Sequence, residues 1–138
     1  MRQESAILSF ETPGRGFTEI TQAVADWLGQ IGIGQGLLTL LCRHTSASLL
    51  IQENAAPAVR ADLAAWLDRL APEGRHYRHD DEGPDDMPAH LKATLTGVNL
   101  QLPVIGGRMA LGTWQGIYLA EHRAMPHHRQ IAAHLIGE

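Results

Sequence analysis

The sequence predicts an α+β fold: mostly antiparallel sheet, sandwich-like or barrel-like, covered by two main helices and one short helix. Three observations carry this. Apolar residues recur at helical spacing in two segments, residues 20–28 and 59–70. After Gly97 the period changes to two, with Leu100, Leu102 and Val104 alternating with polar or turn residues. Between the helical segments lies an apolar run, residues 37–42, bounded by glycines.

Taken in order, residues 5–10 form a first strand and residues 12–16 a turn built on Pro13 and two glycines. Thr18 or Thr21 caps the first helix, whose stripe is Ile20, Val24, Trp27 and Leu28. Gly29, Gly32, Gly34 and Gly36 end it and feed the central strand. That strand reads as buried on both faces, because its run is apolar without alternation. A second apolar run, residues 49–51, follows a polar interruption. The second helix starts near Pro57 and buries Val59, Leu63, Trp66, Leu67 and Leu70. Residues 71–87 show no periodicity and carry six acids, so they are read as a long loop. A short helix begins at Pro88. Gly106-Gly107 signals a hairpin, and strands are expected at 109–111, 117–119 and 129–135. Glu121 and Arg129 can pair across adjacent strands. The whole of residues 1–138 reads as one domain.

Composition narrows the function. The chain has 138 residues, 44% of them hydrophobic and 19% charged, with a formal net charge of −4. No basic surface suggests nucleic acid or an anionic membrane. No apolar stretch reaches membrane-spanning length, and the start carries no signal-peptide pattern, so a cytoplasmic protein is expected. The one cysteine, Cys42, lies in an apolar run and reads as a small core residue. Eight histidines are many for this length and invite a metal or phosphate site.

Three polar clusters can carry chemistry. The first is His44-Thr45-Ser46-Ala47-Ser48 with Glu53 and Asn54, where a histidine and hydroxyls interrupt apolar runs. Such groups are costly to bury without partners, so they either bond locally or face a ligand. The second runs from His79 to Lys92 and includes Asp85, Asp86 and His90; Asp86 and His90 are one helical turn apart. The third joins Trp114-Gln115 to Glu121-His122-Arg123 and Arg129. The chain has no HExxH, CxxC pair, P-loop or nucleophile elbow.

Three motifs in these clusters, HTSASLLIQEN at 44–54, DDMPAHLK at 85–92 and GRMALGTWQGIYLAEHR at 107–123, resemble the YjbQ family. The chain departs from the family pattern at Gln52, at Ala56 and within 86–90. The resemblance implies a β-rich α+β fold, a homotrimer and a weak thiamine-phosphate synthase activity. That reaction joins an aminopyrimidine methyl diphosphate to a thiazole phosphate with loss of diphosphate. The expected catalytic residues are His44, Ser46, Asp86 and His90, and the expected contacts to a small phosphorylated molecule are Thr45, Ser48, Lys92, Gln115 and Arg129.

An acidic chain is a poor anion receptor unless a divalent ion reverses the local sign. Magnesium on Asp85 or Asp86 is one scheme. Zinc or a similar ion on His44, His79 and His90, with His122 as a further candidate, is the other. The competing functional class is a trimeric module that captures a small phosphorylated or metal-bound ligand without turnover. Met109, Leu111, Trp114, Ile117 and Leu119 are too many for one face of a small sandwich, so some of them are expected to meet a neighbouring subunit.

Overall fold

The computed structural model describes residues 1–74 and 76–138. The elements are β1 (Arg2–Thr12), β2 (Gly16–Glu19), α1 (Thr21–Ile31), β3 (Gln35–Cys42), β4 (Ala47–Glu53) and α2 (Pro57–Leu70). Then come α3 (Asp86–Thr96), β5 (Asn99–Ile105), β6 (Arg108–Met109), β7 (Gln115–Glu121) and β8 (His127–Gly137). The strands form two antiparallel sheets, a five-stranded one in the order β1-β8-β3-β5-β6 and a three-stranded one in the order β2-β7-β4. The architecture is therefore the expected α+β, with α3 as long as α1 at 11 residues. Among the described residues no helix is long and apolar enough to cross a membrane.

The core fills the space between the two sheets and α1. Leu38, Leu40 and Leu135 come from the large sheet, Leu49, Ile117 and Leu119 from the small one, and Val24 and Leu28 from α1. Ile117 and Leu119 are thus enclosed by their own chain and are not among the residues left to meet a neighbour. Met109 and Leu111 also pack against this core, while Trp114 is exposed.

Alternation decides β3. Leu38, Leu40 and Cys42 point inward, whereas Leu37 and Leu41 are 39% and 43% exposed. The expectation of two buried faces fails because, among the described residues, no helix covers the outer side of the large sheet. Register places Ile7, Ala132 and Leu41 side by side there, with Ile136 beside Leu37 in a second row. At the far end of these strands Gly36 faces Gly137. A Cβ on Gly137 would stand 2.1 Å from the Gln35 carbonyl oxygen, so the two backbones meet only because side chains are absent.

The helices differ in how they are seated. Helix α1 starts at Thr21, not Thr18, which belongs to β2, and no side chain caps it. Thr21 Oγ1 instead donates to Glu19 and accepts the Ile117 N–H, tying the helix start to the small sheet. Helix α2 buries Leu67 but leaves Trp66 and Leu70 about half exposed, against expectation. Its seat is partly polar: the Arg60 guanidinium lies 5.2 Å from the Tyr118 ring centre, and Asp68 accepts from Lys92. Glu53 accepts from the Ala56 N–H at the entrance of α2, so it serves the helix start. The Gly106-Gly107 hairpin forms as expected, with φ of 60° and 76°, the signs a type I′ turn requires.

The two sheets are stitched by a buried ion pair. Glu121 on β7 accepts from Arg129 on β8, and both side chains are almost fully enclosed. Thr12 on β1 donates to the same carboxylate at 2.6 Å. The expectation that these charges pair across adjacent strands is corrected, since β7 and β8 lie in different sheets. Removing one partner of a buried pair strands the other charge, which costs about 3–5 kcal/mol. Arg129→Met is therefore expected to lower unfolding free energy by about that amount, whereas the double variant Glu121→Leu/Arg129→Met recovers most of it. Urea denaturation reads this directly, and a loss near zero in the single variant would contradict it.

Candidate functional site

Helix α3 has the spacing needed to bring Asp86 and His90 onto one face, and the His90 Nε2 atom lies 3.2 Å from Asp86 Oδ2. The preceding loop returns His79 to the same oxygen, with Nε2 at 2.5 Å. The two imidazole centres are 5.4 Å apart. The three donor atoms of His79, Asp86 and His90 all lie within 4.8 Å of one another. Asp86 is 2% exposed, and the histidines are half-buried, so the cluster opens to solvent on one side.

Hydrogen bonding fixes the rings. His90 Nδ1 is 3.0 Å from the Thr45 carbonyl oxygen, which can only accept, so Nδ1 carries the proton. In the neutral ring Nε2 is then a lone pair aimed at a carboxylate oxygen. Two acceptors in that relation call for a proton or a cation between them. Nδ1–H donated to a carbonyl, with Nε2 directed at a shared point, is the arrangement found behind metal-ligating histidines. Behind His79, Nδ1 faces the Asp81 carboxylate at 3.4 Å. Two imidazoles and one carboxylate suit zinc or a similar transition ion better than magnesium, so the donor set fits the metal that the sequence implied.

Burial and neighbouring charges shift the groups of the cluster, and a metal would have to displace the proton shared by His79 and Asp86. The hydrogen bond to Asp86 holds the His79 imidazole above its ordinary value. Burial pushes Asp86 upward, but hydrogen bonds with His79 and Glu82 and the Arg123 charge outweigh it and keep the carboxyl low. Asp85 behaves similarly: burial raises it, and the Ala124 N–H and Arg123 bring it down. Arg123 grips both acids, with Nε on Asp85 Oδ2 at 2.9 Å and Nη1 on Asp86 Oδ1 at 2.7 Å.

Beside His90 runs a groove lined by His44, Thr45, Ala93, Thr94, Gly97 and Val98. His44 therefore borders the cluster without belonging to its donor group. Its Nε2 accepts the Gln130 N–H at 2.8 Å, a strand-end bond to backbone, and burial lowers its pKa. The group whose donor atoms converge is thus His79, Asp86 and His90, and His44, expected with His79 and His90, stands outside it. Ser46 accepts from Arg129, and Ser48 is fully buried between His122 and Thr96. Lys92 is buried against Asp68 at 2.6 Å. Gln115 closes a turn by accepting the Gly112 N–H. Ser46, Ser48, Lys92, Gln115 and Arg129 are therefore engaged by their own chain, and of the hydroxyl residues named for this site only Thr45 lines the groove.

Sequence reasoning assigned no role to Arg123, although an arginine in the third motif and two adjacent acids in the second were signals for it. His122, weighed as a ligand, is instead buried with Nε2 2.8 Å from Ser48 Oγ. Burial first, then the Lys92 charge, lower its pKa to about 4. The unfolded imidazole titrates near 6.5, so between these values the unfolded chain binds a proton that the folded chain refuses. Stability is then present above pH ~6.5 and declines as pH falls toward 4, by on the order of 3 kcal/mol from this group. Thermal melts at pH 7 and pH 4.5 are expected to show the loss, and His122→Gln should flatten it. An unchanged pH slope in that variant would place the titration elsewhere.

Comparison with known proteins agrees with the motifs. The family model described as "UPF0047 protein YjbQ-like" matches residues 6–138. A UPF0047 protein of Synechocystis is 46% identical over 138 residues, covering 99% of this chain and 94% of its own. The UPF0047 protein YjbQ of Salmonella typhimurium is 50% identical over 125 residues, covering 90% and 91%. Among solved structures, a YjbQ/UPF0047 protein from Clostridium acetobutylicum superposes with a TM-score of 0.88 at 33% identity, covering 95% of this chain and 99% of that one. This chain belongs to the YjbQ-like UPF0047 family.

Proposed function

We propose that the chain is a metal-assisted transferase of the thiamine-phosphate synthase type, with weak turnover, acting at the His79–Asp86–His90 cluster. The single observation that carries this is the convergence of two imidazole Nε2 atoms on one buried carboxylate oxygen, with His90 oriented from behind by a carbonyl. In the reaction implied by the family resemblance, the thiazole nitrogen forms a C–N bond to the methylene carbon. The C–O bond to diphosphate breaks, and diphosphate leaves with the electron pair. A divalent ion, when bound, supplies the positive charge that the departing diphosphate needs.

The chain's own residues would do the rest. His79, Asp86 and His90 would hold the ion. The Thr45 hydroxyl in the adjoining groove would orient the substrate by a hydrogen bond, whereas that of Thr94 already donates to the His90 carbonyl oxygen. Among the described residues no lysine or arginine lines that groove, and the cations nominated for phosphate, Lys92 and Arg129, face carboxylates instead. Binding of the anion would therefore depend on the ion. The same observation favours a second reading, a module that holds a phosphorylated or metal-bound ligand without turning it over.

The test starts from metal-depleted protein. Zinc is expected to raise the melting temperature more than magnesium, with a gain of about 2.7 kcal/mol at a hundredfold excess over Kd. Pyrophosphate should bind by calorimetry only with the ion present. His90→Ala should abolish both effects and any synthase turnover while leaving the fold intact, since the residue is half-exposed. Ion-independent turnover, or no thermal response to any divalent ion, would refute the metal-assisted reading. Ion-dependent pyrophosphate binding without turnover would select the binding module.

The homotrimer belongs to this reading as well. The outer face of the large sheet, carrying Ile7, Leu37, Leu41 and Ile136, supports it as an apolar surface that another subunit would cover. Light scattering at micromolar concentration is expected to give three times the 15.1 kDa of the chain. A monomer mass would remove the trimer.

A further inference from the structure

We propose that Arg123 is a positioning residue of the metal centre, making Asp86 a single-oxygen donor by occupying its other oxygen. The inference rests on the metal reading above and adds a residue outside the donor group. Three contacts of one guanidinium support it. Nη1 donates to Asp86 Oδ1 at 2.7 Å, Nε to Asp85 Oδ2 at 2.9 Å, and Nη2 to the Glu82 carbonyl oxygen at 2.8 Å. Asp86 Oδ1 is thereby engaged, and only Oδ2 is left facing the two imidazoles.

The guanidinium is itself held. The Arg123 N–H donates to Glu121 Oε2 at 3.1 Å, on the carboxylate that pairs with Arg129. The next residue's N–H, that of Ala124, donates to Asp85 Oδ2 at 2.8 Å. Gly83 follows Glu82 with φ of 99°, and a Cβ there would come within 3.1 Å of Asp85 Oδ1. The clamp thus gathers the end of the loop that carries His79 and the start of the helix that carries His90.

Two effects of Arg123 on a cation oppose each other. Its charge repels a metal, so its removal would tighten binding. Its fork fixes Asp86, so its removal would loosen binding. Asp85 accepts from the same guanidinium and offsets most of its charge, which leaves the geometric effect dominant. Loss of an outer partner of a ligating residue typically lowers metal affinity 10–100-fold. Lysine keeps the charge but cannot span three acceptors with one nitrogen.

Cobalt(II) is the probe, because its visible absorption reports coordination number as well as binding. Titrations of metal-depleted wild type, Arg123→Lys and Asp85→Asn would be compared. Arg123→Lys is expected to raise the cobalt Kd about 10–100-fold and to weaken the absorption per bound ion, as Asp86 becomes free to add its second oxygen. Asp85→Asn removes a negative charge yet keeps the Arg123–Asp86 contact, so its band shape should match wild type whatever its Kd. A wild-type Kd and spectrum in folded Arg123→Lys would overturn the inference while leaving the metal reading in place. An altered band in Asp85→Asn would also overturn it, and this holds even if the lysine variant fails to fold. Absence of cobalt binding by the wild type would overturn both.

Discussion

One carboxylate with almost no access to water organises this molecule. Glu121 accepts from Arg129, from the Thr12 hydroxyl and from the Arg123 N–H, so both of its oxygens have partners. Burial alone would raise its pKa; the Arg129 and Thr12 hydrogen bonds more than reverse that and keep it charged. An ionised group is tolerated there only because these partners replace water. The consequence is geometric. The end of β7 is pinned to β8 and β1, so the small sheet meets the large one at a fixed point, and the chain leaves that point toward Arg123, which meets Asp85 and Asp86 at the start of α3.

Packing elsewhere follows from where the helices are. Helix α1 closes the apolar core between the sheets. Helices α2 and α3 are tied by Lys92 reaching across to Asp68, and Arg15 of the β1–β2 turn bonds Glu73 just beyond α2. Their remaining leucines find little to cover them, which leaves Leu70 and Leu95 about half exposed. Hydrophobic burial therefore anchors α1 and the sheets, while α3 is seated by buried Ala89 and Ala93 together with the charge pairs of Asp86 and Lys92. Surface salt bridges contribute little by themselves, but the nearly buried Lys92 would be left as an unpaired cation if Asp68 were lost.

Much of this was legible by period. The α1 stripe, the Gly106-Gly107 hairpin and the alternation of β5 each follow from local sequence, and the structure contains them. Strand β2 was not legible, because four residues after a Pro-Gly turn carry no repeat. The start of α3 was misplaced at Pro88 because proline commonly opens a helix; here Asp86 is already helical. The two faces of β3 could not be told apart, since both are apolar and only the placement of the helices distinguishes them. In the site, the four-residue spacing of Asp86 and His90 was readable, and their loop partner His79 was among the candidates. His44 was grouped with them because a polar residue between apolar runs looks unsatisfied. The partner that satisfies it is the Gln130 backbone, 86 residues away and invisible in sequence.

The same non-locality governs charge. Sequence shows that the chain is acidic but not which cations are free to meet a ligand. Once folded, Arg129 faces Glu121, Lys92 faces Asp68, and Arg123 faces Asp85 and Asp86. Each of these cations holds a structural element in place, and each is thereby removed from anion binding. The groove beside His90 is left with hydroxyls, imidazoles and small apolar groups. An anion entering it would meet no side-chain cation among the described residues of its lining and would lie next to an acidic loop. Any attraction for an anion there would have to come through the His79–Asp86–His90 group beside it rather than from a described lysine or arginine of the lining.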